Sequence, residues 1–221
     1  KFAIMNPEIT YTLPDYQTQC GCADIMMHTM ERYFVLEDTM EITDKIAQDV
    51  MKNVMKYAKI LKKDPENYEA RAEIMWCGSL SHNGLTGCGT CGGDWATHLI
   101  EHELGGMFDV AHGAGLAAVW GSWARYVMDE KPERFAQFAV DVMGVEESDD
   151  VKSTALKGIE AVEEFYRMIE MPTNMKELGI DPTDEQIKDM AMKATNHDTQ
   201  QLGAFKKLSA KDLVEIYKTA K

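Results

Sequence analysis

Residues 98 to 112 have the sequence HLIEHELGGMFDVAH, which places three of the six histidines of the chain in one short segment. His98 and His102 are four residues apart within an apolar pattern that predicts a helix. On a helix their side chains share one face, offset by about 40° around the axis and about 6 Å along it. The segment therefore either binds a metal ion or carries three polar rings in apolar surroundings without a metal.

His112 constrains the local fold, because it follows His98 by fourteen residues. In one continuous helix the two would lie about 21 Å apart, too far to contact one ion. We expect Asp94 to cap this helix and Gly105-Gly106 to end it. The chain would then turn back and bring His112 to the start of the next helix, near His98.

Asp24 and His28, in GCADIMMHTMERYF, show the same four-residue spacing on a second predicted helix. Two such pairs on two helices can converge on one point, as metal sites in helical bundles do. The methionines between them are expected to pack in the core. Spacing alone thus favours a metal site drawn from Asp24, His28, His98, His102 and His112. His82 and His197 are expected to be ordinary surface or hydrogen-bonded histidines.

Helical periodicity continues along most of the chain, so we expect one all-α domain over residues 1–221, a bundle of about eight or nine helices. Helices are predicted from Gln17 to Phe34, from a cap at Thr43 to Leu61, and from Asp64-Pro65, Gly115, Pro132 and Val151 onward. Thr183 with Gln186 and Ser209 with Asp212 resemble capping boxes. A short amino-terminal strand is predicted at PEITYTL, residues 7–13.

Charge and composition exclude several classes of protein. A net charge of −14 and a pI near 4.8 argue against nucleic-acid binding. The chain has no run of 18 apolar residues and no apolar leader at its start, so we expect no membrane insertion and no secretion. Five cysteines favour a reduced, cytoplasmic protein with free thiols. A four-thiolate zinc site from Cys20, Cys22, Cys88 and Cys91 is an alternative that the tight CxC spacing weakens.

Two motifs near the histidines suggest other functions. GCGTCG, residues 87–92, matches GxGxxG, but the dinucleotide fingerprint needs a preceding strand and a later acidic residue, and neither is predicted. HLIEH matches the HxxEH motif of zinc peptidases, in which Glu101 would be the general base. Spacing does not dismiss this second motif, although it leaves Asp24, His28 and His112 without a role.

Four segments together resemble the iron-type (group III) alcohol dehydrogenase family, in its butanol dehydrogenase branch. They are LPDYQTQCGCADIMMHTMERYF (13–34), SHNGLTGCGTCGGDWATHLIEHELGGMFDVAHGAGLA (81–117), MPTNMKELGI (171–180) and KKLSAKDLVEIYKTA (206–220). The resemblance implies four metal ligands, Asp24, His28, His98 and His112. It also implies that His102 is a catalytic, cofactor-contacting residue beside the nicotinamide and not a ligand.

This resemblance implies a function for the chain. We expect the helical domain of an alcohol dehydrogenase or aldehyde reductase, with one Fe²⁺ or Zn²⁺ and with NAD(P)H, NADPH being favoured over NADH. The family's amino-terminal α/β nucleotide-binding domain has no counterpart here, so it becomes an expected partner, together with a second copy in a homodimer and a small alcohol or aldehyde. A non-catalytic metal-binding helical module is the alternative. The loop with Cys88 and Cys91 matches no family function.

Overall fold

Nine α-helices account for most of what the structure, a computed structural model, describes, namely residues 2–37 and 41–221. They are α1 (Asp15–Tyr33), α2 (Glu41–Leu61), α3 (Tyr68–His82), α4 (Ala96–Phe108), α5 (His112–Val127), α6 (Pro132–Asp141), α7 (Val151–Met168), α8 (Asp184–Ala194) and α9 (Ala210–Ala220). Short 3-10 helices lie at Pro7–Thr10, Leu85–Gly87 and Met128–Glu130. The predicted all-α class and the number of helices are confirmed.

The predicted amino-terminal strand is wrong, because residues 7–10 form a 3-10 helix. The side chain of Asn6 accepts a hydrogen bond from the backbone N–H of Glu8 at 3.1 Å, and Pro7 occupies the first helical position. A proline there costs no hydrogen bond and fixes φ for a helical turn. Within the described ranges the only β-type pairing is an isolated bridge between Leu202 and Leu208. The cap at Asn6 therefore favours a helical turn in a segment whose β-branched residues predict a strand.

Several predicted helix boundaries are correct. α6 begins at Pro132 and α7 at Val151, and both predicted capping boxes form, at Thr183 with Gln186 and at Ser209 with Asp212. A capping box satisfies two backbone donors that a helix otherwise leaves unpaired, which is why the motif locates a helix start so well.

Three predicted helix starts are wrong, among them that of α5, which begins at His112 and not at Gly115. Thr43 lies inside α2 instead of capping it, and its hydroxyl donates to the carbonyl of Cys88 at 3.0 Å. α3 begins at Tyr68 instead of Asp64-Pro65, because the side chain of Asn67 accepts from the N–H of Ala70 at 3.0 Å. Thr43 found a distant partner that spacing along the chain could not identify, whereas Asn67 is a local cap that competes with Asp64-Pro65.

Helix α5 forms the centre of the molecule. Thirteen of its sixteen residues are buried, and it packs against α1, α4, α7 and α9. A helix that is apolar on nearly every side belongs in a protein interior. No described helix is long and apolar enough to cross a membrane. At Gly113 a Cβ would collide with the carbonyl of Cys20, so glycine allows the backbones of α5 and α1 to touch.

A buried ion pair ties the end of α1 to α2 and α6. Arg134 donates to both carboxylate oxygens of Asp44, at 2.6 and 2.7 Å, and to the carbonyl of Tyr33 at 2.7 and 3.0 Å. Its guanidinium also lies 3.6 Å from the centre of the Tyr33 ring. Removal of one partner from such a pair costs about 3–5 kcal/mol, because the other charge stays buried. The pair thus fixes the position of α1, which carries two of the predicted ligands.

Candidate metal centre

Three helices bring the four predicted ligands together. Asp24 and His28 lie one turn apart on α1, His98 lies in the first turn of α4, and His112 is the first residue of α5. The contact between α1 and α5 at Gly113 sets Asp24 against His112. The predicted convergence of side chains from separate helices is therefore present in the structure.

The imidazoles surround one oxygen of Asp24. The Nε2 atoms of His112, His28 and His98 lie 3.4, 3.6 and 3.7 Å from Asp24 Oδ1. Four donors about 2.1 Å from a tetrahedral ion would be about 3.4 Å apart. The donor atoms of Asp24, His28 and His98 all lie within 4.8 Å of one another. The spacing thus matches that of donors around one ion, with His112 completing the set through its approach to Asp24.

Buried polar atoms at this point lack partners. Asp24 Oδ1 and His98 Nε2 are both buried, and neither has a hydrogen-bond partner in the described part of the chain. A buried polar atom without a partner costs about 1–3 kcal/mol. A cation would satisfy a carboxylate oxygen and an imidazole nitrogen at once, so the residues fit a divalent ion.

Glu31 orients His98. One oxygen of this carboxylate, on a residue that is 2% exposed, accepts from the backbone N–H of His98 at 3.0 Å and faces His98 Nδ1 at 3.1 Å. A carboxylate acceptor places the ring hydrogen on Nδ1, and the lone pair of Nε2 then points towards Asp24. Sequence reasoning missed Glu31, although its position three residues after His28 puts it near the same helix face.

Glu101 orients His112, as Glu31 orients His98. Its Oε2 forms a short contact with His112 Nδ1, and its residue is 1% exposed. Two glycines make room for this side chain: a Cβ at Gly115 would lie 2.5 Å from Glu101 Oε1, and one at Gly105 would lie 3.4 Å away. Glu101 thus supports a candidate ligand, and an enclosed carboxylate engaged with His112 is poorly placed to be the general base of an HxxEH peptidase.

Helix α4 corrects the prediction that Gly105-Gly106 ends it. The helix continues to Phe108 and ends at Asp109, which takes a left-handed conformation with φ of 54°. Gly105 serves the packing of Glu101 and does not break the helix. The predicted turn towards His112 exists, but it begins three residues later than expected.

Asp94 was predicted to cap α4, but Trp95 occupies the N-cap position and Asp94 holds the start of the helix from one residue earlier. Its Oδ2 accepts from the N–H of Ala96 at 3.1 Å, while its Oδ1 accepts from the N–H groups of Ala204 and Phe205, both at 2.6 Å. Burial raises the pKa of Asp94 to about 6, and the nearby Glu31 adds to the shift. The carboxylate thereby joins the first turn of α4 to a distant loop.

The Nδ1 atom of His28 has no carboxylate partner, unlike that of His98 or His112, and aromatic rings surround the imidazole instead. Its ring centre lies 3.8 Å from that of His82 and 5.4 Å from that of Trp95, and its buried Nδ1 has no described hydrogen-bond partner. His82, expected to be an ordinary histidine, therefore lies at the site. Only the fold brings it there from the end of α3. His197, by contrast, is exposed as expected.

The charges of the site shift the pKa values of its members. Burial raises the pKa of Asp24, but the imidazoles of His112 and His98 outweigh burial and hold it well below its ordinary value. Asp24 and Glu101 raise the pKa of His112 to about 10. Burial lowers the pKa of His28 to about 4. Without an ion, the carboxylate and the protonated His112 thus compensate one another.

His102 lies beside the four residues without facing Asp24. Its ring centre is 5.5 Å from that of His112 and 6.3 Å from that of His98. It shares a second group of possible donors with Glu101 and His112, in which Oε2 of Glu101 is engaged with His112. The structure therefore places His102 next to the candidate ligands, on the exposed side of α4.

The alternative four-thiolate zinc site does not form. Cys20 and Cys22 are buried, whereas Cys88 and Cys91 are exposed. No group of possible metal donors in the described ranges contains a cysteine. The glycine-rich loop at residues 87–92 follows a helix and a 3-10 turn, not a strand, which agrees with the rejection of a dinucleotide fingerprint.

Comparison with known proteins matches residues 18–221 to the carboxyl-terminal part of the Fe-containing alcohol dehydrogenase family. The chain belongs to this family. It is 33% identical to NADH-dependent butanol dehydrogenase A of Clostridium acetobutylicum over 219 residues, which are 99% of this chain and 56% of the relative. It is 35% identical to a probable NADH-dependent butanol dehydrogenase of Bacillus subtilis, over 100% of this chain and 56% of the relative.

Solved structures of the Fe-containing alcohol dehydrogenase family share the fold. The aldehyde reductase YqhD of E. coli superimposes with a TM-score of 0.90 at 30% identity, over 97% of this chain and 56% of that one. Butanol dehydrogenase A of Thermotoga maritima superimposes with a TM-score of 0.89 at 34% identity, over 97% of this chain and 54% of that one. The chain thus spans about half the length of its relatives. Their names divide between NADH for the butanol dehydrogenases and NADPH for the E. coli aldehyde reductase.

Proposed function

We propose that residues 1–221 form the metal-binding domain of an NAD(P)H-dependent alcohol dehydrogenase or aldehyde reductase, which interconverts primary alcohols and aldehydes. The convergence of three imidazole Nε2 atoms on Asp24 Oδ1 carries this proposal. Family membership and the names of the relatives support the redox chemistry and the class of substrate. We expect the nucleotide to bind mostly to an α/β domain corresponding to the part of the relatives that this chain does not span.

The proposed ligands are Asp24, His28, His98 and His112. Three nitrogens and one oxygen suit Fe²⁺ and Zn²⁺ alike. When bound, the divalent ion supplies Lewis acidity to the substrate oxygen and the nicotinamide supplies or accepts hydride. The chain itself contributes orientation, because Glu31 and Glu101 keep the Nε2 lone pairs of His98 and His112 directed at the centre.

A cavity beside the ligands suits the carbon chain of the substrate. It has a volume of about 400 Å³. Its lining residues are Leu13, Gln17, Cys20, Gly21, Asp24, Ala111, His112 and Gly113. Because the wall combines apolar side chains with two candidate ligands, an alkyl group can lie against it while the hydroxyl or carbonyl oxygen lies near the ion that Asp24 and His112 would help to hold.

His102 is our candidate for the proton relay and for contact with the nicotinamide. Burial lowers its pKa below the ordinary value, so the ring is neutral near neutral pH. A neutral imidazole next to the ligands can accept the proton of an alcohol or orient the substrate. Its half-exposed position also leaves it accessible from the side that the nucleotide-binding domain would cover.

The proposal is tested in the intact enzyme by metal analysis and by aldehyde-dependent oxidation of NAD(P)H. Asp24→Ala and His98→Ala should each abolish bound metal and activity, whereas His102→Ala should retain the metal and lose turnover. Full metal occupancy in either ligand variant would remove that residue from the set. Loss of metal in His102→Ala would instead support the HxxEH alternative, for which Glu101→Gln would then be assayed for peptidase activity.

The division into domains has its own test. The 221-residue chain should bind one divalent ion tightly but should not bind NADPH, because the described residues contain no strand-turn-helix phosphate site. Tight NADPH binding, measured by fluorescence, would contradict this division into a metal-binding and a nucleotide-binding domain. Bound metal without any aldehyde-dependent oxidation in the intact enzyme would favour the non-catalytic module.

A further inference from the structure

The two oxygens of Asp24 face different histidines. Oδ1 faces the three imidazoles described above, whereas Oδ2 lies 3.4 Å from Nε2 of His82, the last residue of α3. His82 has no part in the proposed ligand set, yet its ring packs on that of His28 with centres 3.8 Å apart. The outer oxygen of Asp24 therefore has a histidine neighbour of its own.

The hydrogen bonds of His82 indicate which nitrogen carries its hydrogen. Nδ1 lies 2.9 Å from the carbonyl of Gly78 and 2.8 Å from Oγ of Ser81, and the Ser81 hydroxyl donates to the same carbonyl at 3.0 Å. A carbonyl only accepts, so these contacts are all satisfied when Nδ1 carries the hydrogen. Nε2 is then the nitrogen left to face the carboxylate.

This arrangement repeats that of the proposed ligands. Metal-binding histidines donate one ring N–H to a carboxylate or backbone carbonyl and present the other nitrogen to the ion. His98 and His112 do so with Glu31 and Glu101, and His82 does so with Gly78. A ring nitrogen facing a carboxylate oxygen needs a proton or a cation between them, and two donors about 3.4 Å apart fit one tetrahedral ion.

We propose that His82 Nε2 and Asp24 Oδ2 form a second, exposed divalent-cation site that shares the Asp24 carboxylate with the metal centre. The inference rests on the proposed centre through Asp24 alone. The site is accessible, because the side chain of His82 is 44% exposed. Water would complete the coordination of an ion held by two protein donors.

The second ion should bind more weakly than the first. It has two protein donors where the first has four, and a positive group already lies nearby. Arg32 donates to the carbonyls of His28 and Ser81, at 2.8 and 2.9 Å, next to both sites. With Arg32 and the first ion in place, the charges of Asp24, Glu31 and Glu101 are balanced, so little net attraction remains for a second cation.

The test is a titration of the metal-free protein with Co²⁺, followed by visible absorption, and with Zn²⁺, followed by calorimetry. We expect a tight first equivalent and a weaker second one. His82→Leu should abolish the second event and weaken the first by less than the roughly tenfold that loss of an outer partner costs. His197→Asn is the matched control, because this exposed histidine has a φ of 58° that asparagine tolerates, and it should keep both events.

Each result decides the matter. A single equivalent in the unaltered protein, or a second event that persists in His82→Leu, overturns the proposal. A ten- to hundredfold loss of the first event in His82→Leu would also overturn it, since His82 would then be a positioning partner of Asp24. Absence of the tight first equivalent would refute the metal centre of the proposed function, whereas loss of the second event alone leaves that centre intact.

Discussion

Gly115 lies where α5 passes Glu101, and its replacement by alanine tests the support of His112. The three atoms nearest to a Cβ at this position all belong to Glu101, with Oε1 at 2.5 Å, Cγ at 2.8 Å and Cδ at 3.0 Å. Because Glu101 is 1% exposed, its carboxylate cannot move aside into solvent. Gly115→Ala should therefore displace the group that holds His112 Nδ1.

Two opposing effects set the size of the change in stability. Alanine in a helix interior is favoured over glycine by about 1 kcal/mol. Overpacking of a buried site costs about 1–3 kcal/mol. The free energy of unfolding should therefore fall by about 0–2 kcal/mol in Gly115→Ala. Metal affinity should fall by about ten- to hundredfold, because His112 loses its oriented partner.

Urea unfolding and chelator competition measure these two quantities. Gly106→Ala in α4 is the control: no atom lies within 4 Å of its Cβ, so this variant should be about 1 kcal/mol more stable and bind metal normally. In a Glu101→Ala background, Gly115→Ala should become stabilising in the same way. If it stays destabilising there, or leaves metal affinity unchanged in the native background, the assigned role of Glu101 is refuted.

Three further predictions concern the same region. Glu31→Ala should lower metal affinity by about ten- to hundredfold in chelator competition, because His98 loses the acceptor of two N–H groups; an unchanged affinity would contradict this. Metal affinity should rise about tenfold per pH unit between about pH 6 and 9. Below the pKa of His112, which is about 10, this imidazole holds a proton that the ion must displace. A metal affinity that calorimetry finds independent of pH would contradict this prediction. Asp94→Asn should cost about 1–3 kcal/mol in urea unfolding, because an amide NH₂ would face backbone donors.

The sequence predicted the helices well where the signal was local. Periodicity located α1, and proline or capping boxes located the starts of α6, α8 and α9. Prediction from the sequence failed where a residue contacts a distant partner or where two local patterns compete. Thr43 donates to Cys88, and Asn6 with Pro7 forms a helical turn in a segment with a strand-like pattern. Spacing along the chain carries no record of such contacts.

The candidate site shows the same division. Spacing brought Asp24, His28 and His98 into consideration, but the residues behind the ligands depended on packing. Gly105 was interpreted as a helix stop, whereas its lack of a side chain accommodates Glu101. His82 reaches Asp24 only because α3 packs on α1. The contact of His82 with Asp24 exists between two helices, so it is not visible in either one alone.

The carboxylate of Asp94 has a consequence for how the protein is made. Two of its three donors, the N–H groups of Ala204 and Phe205, are synthesised 110 and 111 residues after it. At ribosomal rates of about 5–20 residues per second, Asp94 waits about 5–20 seconds for them. During that interval the nascent chain already contains Asp24, His28, His98 and His112, but the turn that precedes His98 is incompletely fixed. We therefore expect the first turn of α4, and with it the position of His98, to be fixed only after residues 204 and 205 have been synthesised.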